Sequence, residues 1–428
     1  MHGAVLLDAH DEVVRPAIIW CDQRTEPQVE ELSGLFGAER LIQLTCNPPL
    51  TNFTLTKLLW VRQNEPHHWA RVAHVMLPKD YVRFRFTGER AIDMADASGT
   101  LLLDVANRRW SSEVLSRTGI DEGLLPTLCE SPEVCSRISG PAAEATGLKA
   151  GTPVVGGAGD QAAGAVGMGI VRPGAVSATI GTSGVVFAAT DKPTLDPKGR
   201  VHTFCHAVPG RWHVMGVTQA AGLSLRWFRD ALSLDLPGAS SVPANGEDDS
   251  RRSYERLCEE AAAAPPGSNG VLWVPYLMGE RTPYCDPTAR AALIGLLATH
   301  TRADVIRAIL EGVAFSLRDS FTVFREMNVP VARIRLGGGG ARSVLWRQIQ
   351  ADVYGRKVEI VKAEEGAAYG AAILAGTGAG NWTSVDEACD AVVQTSQTIE
   401  PDANATASLD LAYKNYVKIY PALQTIWR

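Results

Sequence analysis

The chain has 428 residues, 46% of them hydrophobic, which is enough for two substantial domains. A formal net charge of -6 gives no sign of a basic nucleic-acid-binding surface, and no uncharged apolar segment is long enough to span a membrane. With no secretion-signal pattern and eight cysteines in no paired motif, a soluble cytoplasmic protein with free thiols is expected; Cys205 between His202 and His206 falls short of a four-ligand zinc site.

In chain order, Met1 to Asp8 is strand-like from its first residues, and Ile18-Ile19-Trp20 is a second apolar run. Glu26 to Phe36 has the composition and spacing of a helix, and Leu55 to Trp60 begins another. Met76 to Tyr81 leads into aromatic and β-branched residues that end in a turn at Thr87-Gly88-Glu89. These alternations predict an α/β domain. Ser98 to Asp104 reads as strand or loop, Trp110 to Gly119 as helix, and Pro126 to Lys149 as peripheral.

Pro153-Val154-Val155 breaks into Gly156-Gly157-Ala158-Gly159, where absent side chains allow close approach of a ligand. Asp160 follows at once, at the start of a small-residue helix through Val166. Val176 to Ala188 is strand-like but interrupted at Gly181-Thr182-Ser183-Gly184, a turn whose N–H groups could face an anion. One carboxylate near one phosphate-type turn suggests phosphoryl transfer to an alcohol. On these residues alone a helix-capping Asp160 and an ordinary hairpin at Gly181 are the simpler readings. A domain boundary is expected between Gly169 and Pro173.

Farther on, Ala220 to Phe228 reads as helix, residues 236–249 as a polar surface insertion, and Val271 to Tyr276 as strand. Val305, Ile306, Ile309, Val313, Ala314, Leu317 and Phe321 form one apolar stripe on a helix over Thr301 to Arg325. Ile334-Arg335-Leu336 then runs into Gly337-Gly338-Gly339-Gly340-Ala341-Arg342-Ser343 and a further helix. This turn can admit a purine or phosphate, or serve as a connector without a ligand. It matches neither the phosphate-loop nor the dinucleotide-loop spacing.

Taken jointly and in order, Met1-His2-Gly3, Trp20-Cys21-Asp22-Gln23-Arg24, Leu77-Pro78-Lys79-Asp80-Tyr81, Gly157-Ala158-Gly159-Asp160, Ile180-Gly181-Thr182-Ser183-Gly184, Gly279-Glu280-Arg281-Thr282-Pro283 and Gly338 to Ser343 resemble the FGGY family of carbohydrate kinases. The resemblance implies an α/β, two-domain ribonuclease H-like ATPase fold of the hexokinase and actin type, with residues 1–170 on the sugar side and 171–428 on the nucleotide side. It implies ATP-dependent phosphorylation of D-xylulose with Mg2+ bridging the phosphates, no nucleic-acid or membrane partner, and leaves a homodimer open. Another FGGY sugar or polyol kinase, or a nucleotide-binding protein without sugar turnover, is the alternative. Asp160 corresponds to the general base, Met1, His2, Trp20, Asn52 and Gln161 to sugar contacts, and Gly181, Thr182, Gly222, Gly339, Gly340 and Ser343 to nucleotide contacts. On the residues themselves Trp20 could equally be a core aromatic and Asn52 a cap or turn residue. Related kinases open with an Asp-x-Gly-Thr hairpin ahead of the Met-His-Gly segment, so an N-terminally truncated first domain and a catalytically deficient chain are expected.

Overall fold

The computed structural model describes residues 1–233, 247–363 and 366–427, so most of the 236–249 insertion lies outside them. The chain folds into two compact units that interleave along the sequence. The first comprises Met1–Pro173, Ala189–Val214 and Ala363–Val393; the second comprises Gly174–Ala188, Met215–Lys362 and Gln394–Arg428.

In the first unit, the strand Val5–Leu7 pairs antiparallel with His74–Met76, Val5 opposite Met76. Ile18 makes only an isolated bridge to Ala4, and the strand expected through Trp20 does not form. Helices occupy Glu26–Phe36 and Thr54–Asn64. The aromatic segment after Met76 is a helix, Pro78–Thr87, because proline is tolerated in the first turn and Gly88 closes the other end at φ 79°. The region expected to be peripheral instead supports the site: Val134–Arg137 pairs with Pro153–Val155, the strand that delivers the chain to Asp160.

The helix Asp160–Gly167 owes its small residues to a second helix, Gly366–Gly378. A Cβ placed on Gly370 would fall 1.7 Å from the Ala163 carbonyl oxygen, and one on Gly167 2.0 Å from that of Gly366. The two backbones therefore touch directly, and no larger residue fits at either position. Around this contact Ala162, Val166, Ile373, Leu374, Val385 and Ala388 form a buried cluster that fixes the helix carrying Asp160.

The second unit is built on a sheet whose neighbouring strands are Trp212–Thr218, Gly184–Thr190, Gly174–Ile180, Val331–Gly338, Val358–Val361 and Thr395–Ile399. Gly174–Ile180 and Gly184–Thr190 form an antiparallel hairpin, with Gly184 opposite Ile180. Gly174–Ile180 runs parallel to Val331–Gly338, so both strands end side by side in glycine-rich turns. The long helix Arg302–Glu326 begins at a capping box in which Thr301 and Asp304 satisfy each other's backbone donors. Its stripe is buried at Ile306, Ile309, Val313, Ala314 and Leu317 and half-buried at Val305 and Phe321. Among the described residues, no helix is long and apolar enough to cross a membrane.

Candidate active site

In the first unit Asp160 is the first helical residue, Gly159 is the N-cap, and the Asp160 carboxylate makes no capping hydrogen bond. The side chain is exposed, touched only by the Gln161 amide at 3.5 Å. The bland reading of Asp160 as a cap is therefore set aside by the geometry.

Met1 lies against this helix start. A Cβ on Gly159 would meet Met1 Sδ at 2.9 Å and Asp96 Oδ1 at 3.2 Å. His2 is buried with φ 54°, an uncommon conformation for a residue with a side chain. Its carbonyl accepts from Thr54 Oγ1 at 3.1 Å, which ties it to the loop carrying Asn52. Asn52 is not a cap, since Phe53 holds the N-cap position of the Thr54–Asn64 helix. The Lys57 ammonium donates to the carbonyls of Thr51, Asn52 and Phe53 at 2.7–3.0 Å and holds this loop in shape. Burial pushes Lys57 down to about 7. The Asn52 Oδ1 is buried without a hydrogen-bond partner, an acceptor whose satisfaction would have to come from a ligand or water. Trp20 is 60% exposed, which rules out a core aromatic.

A network that the sequence did not advertise lies beneath Met1 and Gly159. Lys79 Nζ sits 2.6 Å from both Asp80 Oδ1 and Asp93 Oδ1 and 3.8 Å from Asp96 Oδ2. Burial works against the Lys79 charge, but the three carboxyl groups raise its pKa overall. Burial raises Asp96 to about 7 against the pull of Lys79, so the cluster keeps a proton near neutrality.

In the second unit Gly181, Thr182, Gly222 and Gly340 lie at the hairpin turn, and Ser343 stands apart at the start of the next helix. Gly181 and Thr182 are exposed. The Gly181 carbonyl accepts from Gly222 N at 2.8 Å, and that of Thr182 from Ala221 N and Leu223 N at 3.0 and 3.1 Å. The start of the helix Gly222–Leu232 thus fastens the turn. A Cβ on Gly340 would lie 2.6 Å from Ile180 Cβ, so Gly340 is small to receive Ile180, not to leave a ligand path open. Gly339 is exposed and unobstructed. Ser343 caps the helix Val344–Tyr354, its Oγ accepting from Trp346 N at 3.2 Å. That cap is legible in the sequence as a serine ahead of an apolar helix.

Glu280 also lies in the second unit. Its carboxylate accepts from Thr218 Oγ1 at 2.5 Å, Arg281 N at 2.7 Å and Gln219 N at 3.0 Å, and burial still pushes it up to about 8. Because the folded pKa exceeds the ordinary 4.5, the folded chain holds a proton that the unfolded chain releases between pH 4.5 and 8. Stability from this group is present below pH 4.5 and lost as pH rises to 8. The melting temperature of the parent chain relative to Glu280→Gln should therefore fall by about 5 °C from pH 5 to 8.5, read by differential scanning calorimetry. A difference constant with pH would refute the assignment.

Among the described residues, no group of three or more His, Cys, Asp or Glu side chains could hold a metal ion. The Cys205 region is instead buried packing, with His202 hydrogen-bonded to Asn47 Oδ1 and His206 to the Ile170 carbonyl.

The sequence matches the FGGY family of carbohydrate kinases, N-terminal domain, over residues 1–167 and the C-terminal domain of the same family over residues 176–379. It is 39% identical to a xylulose kinase of Bacillus subtilis over 420 residues, which are 98% of this chain and 81% of that protein. It is 38% identical to a xylulose kinase of Escherichia coli over 424 residues, 99% of this chain and 83% of that one. The crystal structure of a xyloylose kinase from Brucella ovis, 37% identical, superposes with a TM-score of 0.89 over all of this chain and 84% of that one.

Proposed function

This chain belongs to the FGGY family of carbohydrate kinases, and from that membership we propose that it transfers the γ-phosphoryl group of ATP to the 5-hydroxyl of D-xylulose, giving D-xylulose 5-phosphate and ADP. The observation that carries the reading is Asp160: an exposed carboxylate, spent on no cap, at the head of a helix locked by backbone contact. It accepts the hydroxyl proton as that oxygen bonds to phosphorus and loses electron density.

Sugar recognition falls to the first unit and nucleotide recognition to the second, which interleave along the chain where the sequence suggests a single cut at residue 170. Met1 and His2 border the sugar beside Gly159, Asn52 Oδ1 accepts from a sugar hydroxyl, Gln161 adds an amide, and Trp20 covers the C–H face. Gly181 and Thr182 offer N–H and hydroxyl donors to the phosphates, held in place by Gly222, while Gly339 and Ser343 border the adenosine and Gly340 seats the turn against Ile180. Mg2+, when bound, neutralises phosphate charge. The enzyme works in the cytoplasm.

The test is coupled ADP release with ATP and Mg2+ over D-xylulose, D-ribulose, L-ribulose, glycerol and gluconate. D-Xylulose should give the highest kcat/KM. Preference for another acceptor by about 10-fold or more would move the chain to a different kinase of the family, and nucleotide binding without acceptor dependence would remove the kinase assignment.

A further inference from the structure

The position that the sugar reading leaves unexplained is Gly99. It lies in the turn Ser98–Thr100, fully enclosed, directly against the His2 imidazole. A Cβ on Gly99 would fall 2.2 Å from His2 Cε1 and 2.5 Å from Nδ1, well inside any real contact. The Gly99 backbone has no freedom to retreat. Ser98 Oγ donates to the Met94 carbonyl and accepts from Cys205 N, Thr100 Oγ1 donates to the Ala97 carbonyl, and Ala97 and Leu101 are wholly buried. Any side chain at position 99 must therefore move the imidazole, which is itself wedged between Phe53 and Phe204 with ring centroids at 5.6 and 6.1 Å.

Gly99 does a second thing. Its carbonyl lies 2.9 Å from His2 Nδ1, and a carbonyl can only accept, so Nδ1 carries the hydrogen. In the neutral ring that makes Nε2 the acceptor. His2 also sits in the left-handed region, a conformation that persists only where the surroundings over-determine it. Thr54 Oγ1 fixes the His2 carbonyl and Gly99 fixes the ring.

We propose that Gly99 is a positioning residue of the sugar site that acts through His2: its missing side chain admits the imidazole and its carbonyl selects the ring nitrogen that accepts. The inference rests on the reading of His2 as a sugar contact. Residues 2 and 99 then share one volume, and enlarging one is tolerated only when the other shrinks.

Four chains test this: the parent, Gly99→Ala, His2→Ala and the double variant, each titrated with D-xylulose and with ATP and melted without ligand. Gly99→Ala should lower kcat/KM for D-xylulose about 10-fold or more, leave the KM for ATP within about 2-fold, and melt below the parent. The double variant should melt above Gly99→Ala, since the shortened residue 2 vacates the clash, and its kcat/KM should stay within about 2-fold of His2→Ala. A parent-like Gly99→Ala, or a double variant whose losses multiply and whose melting is not rescued, overturns the proposal. If Gly99→Ala does not fold, rescue or its absence in the double variant still decides. A parent that phosphorylates no ketose sinks the functional reading instead, while the melting comparison still accepts or rejects the pairing of residues 2 and 99.

Discussion

Replacing Asp160 by asparagine is expected to lower D-xylulose-dependent ADP release about 100-fold or more while leaving nucleotide binding and melting near those of the parent. The structure separates these effects cleanly. Asp160 is exposed and caps nothing, so its carboxylate supports no part of the fold that an amide of the same shape would fail to support. What the amide cannot do is accept the hydroxyl proton while the new bond to phosphorus forms. Turnover should therefore fall at saturating sugar, with the KM for ATP little changed. Near-parental turnover from a folded Asp160→Asn chain would remove Asp160 from the chemistry.

Gly222→Ala should act on the other substrate. Gly222 N donates to the Gly181 carbonyl at 2.8 Å, yet a Cβ on Gly222 would stand 2.4 Å from that same oxygen. One methyl group must push the carbonyl away and, with it, the turn whose N–H groups and Thr182 hydroxyl are proposed to meet the phosphates. A displacement of about 1 Å in such a donor set costs about 100-fold in the worst case, so a loss of 10- to 100-fold in kcat/KM for ATP is expected. The KM for D-xylulose should move by less than about 2-fold, because the sugar residues belong to the other unit. If the sugar parameters suffer and those for ATP do not, Gly222 and the hairpin turn have been assigned to the wrong substrate.

Much of the site was legible because glycine and proline punctuate it. The breaks at Gly156 to Gly159, Gly181 to Gly184 and Gly337 to Gly340 marked strand ends, and the strands Pro153–Val155, Gly174–Ile180 and Val331–Gly338 end there. The long helix was equally plain from its stripe, since a 3.6-residue period held from Val305 to Phe321, nearly five turns, has no competing reading. What the chain hid were arrangements created only by closure of the fold. Lys79 and Asp80 were letters of one motif and Asp93 and Asp96 of none, and only folding brings the three carboxylates onto the Lys79 ammonium. Glu280 looked like one letter of a motif, and its enclosure by Thr218, Gln219 and Arg281 could not be read from spacing. Gly340 illustrates the opposite hazard: a glycine in a nucleotide-type turn invites a ligand, whereas its space is taken by Ile180. The interleaving of the units is likewise invisible to composition, because Ala189–Val214 and Ala363–Val393 carry no boundary signal of their own.

The backbone contact between Asp160–Gly167 and Gly366–Gly378 also sets an order of events during synthesis. About 200 residues separate the two helices, so at 5–20 residues per second the ribosome needs roughly 10–40 s to deliver the second after the first. Throughout that interval Ala162 and Val166 have no Ile373 or Leu374 to cover them. The nascent chain therefore exposes an apolar, small-residue helix face directly behind Asp160. The first unit closes only once Ala363–Val393 has emerged, so the position of Asp160 is set by a segment made long after it.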